Sequence, residues 1–381
     1  MISFDGFRSD YLDWYNTPNM DEFMKKGARS EGLIPIFVSK TFPNHYSIAT
    51  GLYAENHGLI GNNFYDPILK DEYSLSDRSK VEDPRFYEGE PIWVTAEKQG
   101  VQTASYFWVG SEAPINNTYP TRWKRYEHEF PFNSRIDSVL SWLSMPREKR
   151  PRLCLLYFHE PDHTGHETGP RSNETSIMVN KLDSLFGTLM EKLEKLPIFD
   201  NLNIIIVSDH GMTEISSERT INLSNYINLS KIKQEGSGPY SLLYGMEKVE
   251  IKSIVNQLNK APNINAYAKE DIPERFHFKK HHRIKDILVL ADEGWYINNQ
   301  SISSSSEIGK QIIKGGTHGY DNQLKSMHAL FIAKGPSFKK GIVVPPFENI
   351  NIYPMLCHIL NITPNKNIDG NLKKIIHIFN I

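Results

Sequence analysis

The sequence predicts an α/β fold with a mostly parallel central sheet, and three observations support this. Apolar runs of strand length alternate with amphipathic stretches of helical spacing along most of the 381 residues. The composition, 39% hydrophobic and 23% charged, is sufficient for a large core and argues against disorder. The net charge of −2 indicates no surface for nucleic acid, and no apolar run reaches the ~18 residues of a transmembrane segment.

Six apolar runs are predicted to be strands: Ile2–Phe4, Leu33–Phe37, Val101–Phe107, Leu153–Phe158, Asn203–Ser208 and His328–Ala333. The first run is shorter than the usual strand of about five or six residues. We therefore expect the native protein to extend further at its N-terminus, where an export signal would also lie.

Helices are predicted between these strands, because apolar residues recur there at helical spacing. They are Met20–Lys26, Asn44–Thr50, Pro91–Gln99, Arg135–Leu143, Ser176–Leu196 and Ile352–Leu360. The alternation predicts helices on both faces of the sheet.

The stretch from about 237 to 310 departs from this alternation, so we interpret it as an insertion in a single catalytic domain of residues 1–381. It contains a predicted helix, Lys248–Leu258, and a short strand, Ile284–Leu290. A serine-rich loop at 301–306 follows, and the basic run KKHHR at 279–283 is predicted to be a solvated turn.

Polar residues follow the predicted strands where each strand ends. Because ligand sites of open α/β sheets lie beyond the carboxyl ends of the strands, we expect these residues to meet at one rim. They are Asp5, Thr41, Asp162, His166, Asp209, His210 and His318. An aspartate alone is explained equally well as a turn or helix cap, and a lone histidine is more often a hydrogen-bonded structural residue than a ligand. Thr41, with Pro43 after it, fits an N-cap.

Together these residues favour metal chemistry. Histidine nitrogen and carboxylate oxygen suit zinc, and six such ligands are enough for two adjacent ions. Two ions at this spacing stabilise the attacking and leaving oxygens of a displacement at phosphorus. Metal coordination would make the Thr41 hydroxyl a nucleophile, and the helix N-terminus behind it suits a phosphate. Thr41 can therefore be both cap and nucleophile.

The chain resembles the nucleotide pyrophosphatase/phosphodiesterase family of the alkaline phosphatase superfamily. The resemblance rests on ISFDGFRSDYL, KTFPNHYSIATG, EPDHTGHETGP, SDHGMT and THGYDN, and it covers essentially the whole chain. It implies an alkaline-phosphatase-like fold and hydrolysis of nucleotide pyrophosphates or phosphodiesters to nucleoside 5′-monophosphates. It also implies a phosphothreonine intermediate on Thr41.

The resemblance implies two zinc ions and a set of substrate contacts. One zinc would be held by Asp5, Asp209, His210 and Thr41, and the other by Asp162, His166 and His318. Asn62 would hydrogen-bond a phosphate oxygen together with the Thr41 N–H group. Phe42, Trp108 and Tyr126 would line a nucleoside pocket, although ordinary packing explains such aromatic rings equally well.

The bare catalytic domain and the two cysteines are more similar to a bacterial member, which implies an exported protein. Three alternatives stay open: a lipid- or choline-phosphodiester hydrolase, a monoesterase and a non-catalytic metal-binding module. A monoesterase would need an additional cationic group such as arginine, where we find Asn62. The oligomeric state and the natural substrate are left open.

Overall fold

The computed structural model describes residues 1–298 and 314–380. Its central sheet has eight strands: β1 (Ile2–Phe4), β2 (Ala28–Ser30), β3 (Thr103–Tyr106), β4 (Arg122–Lys124), β5 (Leu153–Phe158), β6 (Ile204–Val207), β7 (Phe331–Lys334) and β8 (Ile342–Val344). They lie in the order β8-β2-β7-β6-β1-β5-β3-β4. Only β7 runs antiparallel to its neighbours in this sheet. The predicted mostly parallel sheet is confirmed.

Helices cover both faces of this sheet, as predicted. One core contains side chains of the helices Pro18–Lys25, Phe132–Leu143 and Asn173–Glu194. The other contains those of Thr41–Thr50, Ile92–Lys98 and Ile352–Leu360. Leu153 and Leu155 of β5 lie in the second of these cores, and Cys154 and Leu156 lie in the first, because successive strand residues point to opposite faces. Four shorter helices are Tyr11–Trp14, Ala54–His57, Arg78–Val81 and Asp162–Thr168.

The predicted strand Leu33–Phe37 is wrong in length and place. Only Leu33–Ile34 is extended, and it pairs with Phe347–Glu348 outside the central sheet. Pro35 has no N–H group for a ladder, and the Ile36 N–H group donates to the Asn44 side chain at 2.7 Å. The sheet position belongs instead to β2, which is only three residues long and was not predicted.

Residues 233–291, which we call the insertion from here on, form a separate four-stranded antiparallel sheet, and one face of this sheet packs in a third core. The bounds of the predicted insertion, about 237 to 310, stay a prediction. The strands, in spatial order, are Lys233–Glu235, Tyr240–Tyr244, Ile287–Ala291 and Ile264–Ala268. The predicted helix Lys248–Leu258 is confirmed and packs in this core. The predicted serine-rich loop at 301–306 lies outside the described residues.

Short strand pairs complete the described structure. They are Asn63–Asp66 with Asp71–Ser74, Thr213–Glu214 with Gly316–Thr317, and Thr220–Ile221 with Tyr296–Ile297. Among the helices of the described ranges, none has the length and apolar character needed to cross a membrane.

The basic run at 279–283 forms a turn, as predicted, but it is only partly solvated: Lys280 and His282 are exposed. His281 and Arg283 are buried at the junction between the insertion and the main domain. The Arg283 guanidinium donates to Asp66 at 2.6 Å, and His281 Nε2 lies 2.8 Å from a Glu88 oxygen. Acidic partners distant in sequence therefore allow the Arg283 charge and the His281 ring to be buried.

Candidate metal centre

The predicted ligands lie together at one rim of the central sheet. Asp5 follows β1, Asp209 follows β6, and Asp162 begins the helix after β5. Because β7 runs antiparallel, the segment before it reaches the same rim, and this segment carries His318. Gly6, with φ of +66°, allows close approach of the chains: a Cβ there would lie 2.8 Å from the Asp162 Cα.

One group of side chains, the first ligand group, surrounds the start of the helix Thr41–Thr50. His210 Nε2 lies 3.0 Å from Asp209 Oδ2 and 3.5 Å from Asp5 Oδ1. The same nitrogen lies 3.2 Å from the Thr41 hydroxyl oxygen. The two carboxylates and the imidazole are buried, whereas Thr41 is half-buried.

The second ligand group consists of Asp162, His166 and His318. His166 Nε2 lies 3.4 Å from Asp162 Oδ2, and His318 Nε2 lies 3.6 Å from Asp162 Oδ1. The two imidazole Nε2 atoms are 3.1 Å apart. The groups are adjacent, since the His210 and His318 rings stack with centroids 3.4 Å apart. This group is more exposed than the first, because Asp162 and His166 are only half-buried.

A second layer of backbone contacts fixes the tautomer of the three rim histidines. In the neutral ring, a donating Nδ1–H group leaves Nε2 as a lone pair directed at the rim, the form that binds metal. In each case Nδ1 faces a backbone carbonyl oxygen: that of Gly211 for His210 (2.8 Å), Ser39 for His318 (2.8 Å) and Gly316 for His166 (2.9 Å).

The unpaired atoms of the rim also fit metal ions. Asp5 Oδ1, Asp209 Oδ2 and Asp162 Oδ1 are buried and have no hydrogen-bond partner within residues 1–298 and 314–380. Two Nε2 lone pairs facing each other at 3.1 Å repel unless a cation lies near them. Asp162, His166 and His318 offer ligand atoms within 4.8 Å of one another, as do Asp5, Asp162 and His210. The donor set suits zinc.

The buried carboxyls of the first ligand group have opposite pKa shifts. Burial, together with the charges of Asp209 and Asp162, raises the pKa of Asp5 well above its ordinary value. Burial would also raise the pKa of Asp209, but His210 and His45 outweigh it and hold that pKa well below its ordinary value. A cation between these groups would favour the ionised form of Asp5 and so lower its pKa.

The pKa of His318 lies well below its ordinary value, because its ring is buried and faces the charges of His210 and Lys40. The imidazole is therefore neutral, as a metal ligand must be. Burial lowers the pKa of Lys40 to about 8. Lys40 was not identified from the sequence, where only its position beside Thr41 marks it.

Thr41 is the first residue of its helix and not the cap that we predicted. The N-cap is Lys40, whose side chain makes no capping hydrogen bond among the described residues. The Asn44 amide instead holds the preceding loop by donating to the Val38 and Lys40 carbonyl oxygens. The Thr41 hydroxyl is thereby free to face His210.

Two further predicted substrate residues lie beside this helix start. The Asn62 side-chain oxygen accepts the Phe42 N–H group at 2.9 Å, so its amide NH₂ faces away from Phe42. Phe42 is half-buried, with its ring 6.2 Å from that of Tyr73. Phe42 thus follows Thr41 directly in the chain, and Asn62 is hydrogen-bonded to Phe42.

The two remaining predicted pocket residues, Tyr126 and Trp108, differ in how much of each ring is exposed. Tyr126 is half-buried and its ring lies 6.2 Å from that of Tyr157, whose hydroxyl donates to Asp5 at 2.6 Å. Trp108 is fully buried, and its indole N–H donates to the His45 carbonyl oxygen at 3.1 Å. A ring without exposed surface does not face a substrate, so the position of Trp108 does not support the predicted pocket role.

His45 and Tyr157 are supporting residues that we did not predict. His45 Nδ1 lies 3.0 Å from the Thr41 carbonyl oxygen and 3.3 Å from Asp209 Oδ2, and its Nε2 accepts from Ser3 at 2.8 Å. The spacing of His45, four residues after Thr41, is the sequence signal that could have identified it. Tyr157 lies in β5, where nothing distinguished it from a core residue.

Glu88, His281 and His282 form a further cluster of possible ligands, at the junction with the insertion. Here His281 Nδ1 accepts the Arg283 N–H group at 3.2 Å, so its Nε2 carries the proton and donates to Glu88 at 2.8 Å. A protonated nitrogen does not bind a metal ion. In this arrangement of the junction cluster, His281 is a hydrogen-bond donor to Glu88 and not a metal ligand.

Comparison with known proteins gives consistent results. The family model for type I phosphodiesterase / nucleotide pyrophosphatase matches residues 1–321. Human bis(5′-adenosyl)-triphosphatase ENPP4 is 40% identical over 96% of this chain and 79% of its own length. Venom phosphodiesterase CdcPDE of Crotalus durissus collilineatus is 38% identical over 99% of this chain. The chain spans only 46% of that snake protein.

Solved structures with the same fold include murine ectonucleotide pyrophosphatase / phosphodiesterase 5, with a TM-score of 0.91 and 34% identity. The match covers 100% of this chain and 99% of the murine chain. A second structure of the murine protein is an inactive threonine-to-alanine variant in complex with AMP. The predicted alkaline-phosphatase-like fold agrees with these matches. The relatives reported are from vertebrates, and the bacterial origin stays a prediction.

Proposed function

Because the chain belongs to the type I phosphodiesterase / nucleotide pyrophosphatase family, we propose that it is a two-zinc phosphodiesterase acting on nucleotides. Its products would be nucleoside 5′-monophosphates. The observation that carries this proposal is the convergence of three imidazole Nε2 atoms and three carboxylate oxygens without a hydrogen bond at the rim, where His210 Nε2 also faces Thr41.

The two ligand groups would each hold one ion. Asp5, Asp209 and His210 would hold the first with Thr41, and the second ligand group would hold the other. When bound, zinc supplies Lewis acidity at phosphoryl oxygens and lowers the pKa of a coordinated hydroxyl or water. The second-layer contacts from Tyr157 to Asp5 and from backbone carbonyls to the histidines orient the ligands.

Thr41 is the proposed nucleophile. The Thr41 hydroxyl loses its proton to solvent, and its oxygen forms a bond to phosphorus while the bond from phosphorus to the leaving alkoxide or phosphate breaks. Water then hydrolyses the phosphothreonine ester, which releases the nucleoside 5′-monophosphate and restores the hydroxyl group. The inactive threonine-to-alanine variant of the murine relative supports a threonine in this role.

Asn62 and two aromatic rings are the proposed substrate contacts. The Asn62 amide would donate to an equatorial phosphate oxygen, where negative charge increases in the transition state. Phe42 and Tyr126, both half-buried near the first ligand group, would stack on a nucleoside base. The AMP bound to the murine relative and the dinucleotide substrate in the name of ENPP4 support a nucleotide.

The proposal is tested by turnover of p-nitrophenyl thymidine 5′-monophosphate against p-nitrophenyl phosphate, with added zinc and then with a chelator. We expect a strong preference for the diester that the chelator removes. Preference for the monoester would contradict the role of Asn62. Turnover only of lysophospholipid or choline diesters would replace the nucleotide by that alternative substrate class. An absence of turnover on every diester, with metal bound, would favour the non-catalytic module.

Export is proposed on the resemblance alone.

A further inference from the structure

The segment that carries Asn62 is held by the insertion and not only by the main domain. Gly58 and Asp66 lie four residues before and four residues after Asn62. The Arg283 guanidinium donates to the Gly58 carbonyl oxygen at 2.8 Å and to Asp66 Oδ2 at 2.6 Å. One buried side chain of the insertion therefore joins both ends of the Asn62 segment.

The contacts of Arg283 leave this group little freedom. Its side chain is 2% exposed, and Nη1 also donates to the Phe86 carbonyl oxygen at 2.8 Å. The guanidinium carbon lies 5.1 Å from the centre of the Phe64 ring. Gly58 has φ of +80°, and a Cβ there would lie 2.6 Å from Arg283 Nη1, so a larger residue would displace the guanidinium.

Asp66 transmits this restraint to the hairpin after Asn62. Its other carboxylate oxygen accepts the N–H groups of Ile68 and Leu69 at 2.8 and 2.9 Å. Asp66 is 1% exposed and ends the strand Asn63–Asp66. The carboxylate thus connects the turn of the hairpin to Arg283, and removing either partner leaves a buried charge.

Three more residues of the insertion lie against the same segment. Lys285 donates to the Tyr65 carbonyl oxygen at 2.6 Å, and the Tyr65 N–H group donates to Glu235 at 3.2 Å. A Cβ at Gly61, next to Asn62, would lie 2.9 Å from the Tyr240 hydroxyl oxygen. The insertion therefore contacts the segment on both sides of Asn62.

From these contacts we infer that Arg283 is a positioning residue, which fixes Asn62 against the start of the helix Thr41–Thr50. This inference rests on the proposed role of Asn62 in binding a phosphate oxygen. Asn62 can donate to that oxygen only if its own oxygen stays on the Phe42 N–H group, at 2.9 Å. A shift of about 1 Å in such a contact is enough to reduce turnover strongly.

The test is a double-mutant cycle on turnover of p-nitrophenyl thymidine 5′-monophosphate, with wild type, Arg283→Met, Asn62→Ala and the double variant. We expect Arg283→Met to lower kcat by about tenfold, which is less than the decrease in kcat when one hydrogen-bond donor to the phosphate oxygen is removed outright. KM should change less than twofold. In the Asn62→Ala background we expect the substitution to change kcat less than twofold. Arg275→Met is the matched control, because Arg275 lies in the same insertion and pairs at the surface with Asp321.

The outcomes distinguish the inference from the proposed function. Loss of the same factor in both backgrounds would mean that Arg283 is merely structural and would overturn the inference alone. An unchanged kcat for Asn62→Ala in the wild-type background would overturn the role of Asn62 and the inference with it. If Arg283→Met does not fold, Asp66→Asn replaces it, because that change retains the side-chain volume. We then expect a loss of about threefold that again disappears without Asn62.

Discussion

The rim of the sheet and the junction cluster contain the same residue types but have opposite hydrogen-bond directions. At the rim, Nδ1 of His166 donates to a carbonyl oxygen and Nε2 is a free lone pair. At the junction, His281 Nδ1 accepts an N–H group, and its Nε2 donates to Glu88. The difference teaches that the second-layer partner, and not the presence of histidine and acid, decides which cluster offers an Nε2 lone pair to a metal ion.

The largest expected effect is at the nucleophile of the rim. Thr41→Ala should reduce turnover of the diester substrate by on the order of 10³-fold or more, because the variant lacks the hydroxyl that forms the bond to phosphorus. Metal content, measured by inductively coupled plasma mass spectrometry, should stay at two ions per chain. Retained turnover would remove Thr41 from the reaction.

The direct comparison of the two regions uses matched histidine variants. His318→Ala should lower the metal content towards one ion and reduce kcat by about 10²-fold, because the second ligand group loses a ligand. His281→Ala removes the same side chain at the junction and should leave two ions bound. A lower metal content in His281→Ala would contradict the conclusion, drawn from the hydrogen bond at Nδ1, that His281 Nε2 is protonated and binds no metal ion.

Asparagine substitutions should change the stability of the chelator-treated protein in opposite directions. Asp66→Asn breaks a buried ion pair with Arg283 and should lower the free energy of unfolding by about 3 kcal/mol. Asp5→Asn removes a buried carboxyl repelled by Asp209 and should raise it by about 1 kcal/mol, while weakening zinc binding. Urea unfolding measures both. A loss of stability in chelated Asp5→Asn would show that its charge is not repelled.

The smallest effect is the pH dependence of this metal-free stability. Because the pKa of Asp5 is raised on folding, protonated Asp5 favours the folded state. Its contribution to the free energy of unfolding is fully present below the ordinary pKa of 3.8 and is lost as the pH rises through the folded pKa. Burial opposes ionisation of Asp66, but the Leu69 N–H group and Arg283 lower its pKa. Its contribution is present above 3.8 and is lost as the pH falls through the folded pKa.

Urea unfolding of the chelated wild type and of each asparagine variant, from pH 3 to 9, checks these signs. Relative to wild type, Asp5→Asn should remove part of the loss of stability at higher pH, and Asp66→Asn should remove part of the loss at acid pH. Parallel curves for all three proteins would contradict both assignments.

The sequence predicted the rim well because a general rule applies to it. Residues after parallel strands meet at one edge, so Asp5 and Asp209 could be placed together without a structure. The central strand β2 could not be predicted, because three residues carry too little periodicity. The strand prediction at Leu33–Phe37 failed where a side chain, that of Asn44, replaced a sheet ladder.

Long-range partners explain the other differences. The burial of Arg283 depends on Asp66, 217 positions away, and a run of basic residues gives no sign of such a partner. The carbonyl oxygen that orients His318 belongs to Ser39, 279 positions away. Residue types are visible in a sequence, whereas the direction of a hydrogen bond depends on the fold.

Anomalous X-ray diffraction at the zinc absorption edge, on crystals of the zinc-treated protein, tests the central claim most directly. We predict two anomalous peaks at the rim, one within the Asp5, Asp209 and His210 group and one within the Asp162, His166 and His318 group. We predict no peak between Glu88 and His281. A peak at the junction, or none at the rim, would contradict the account.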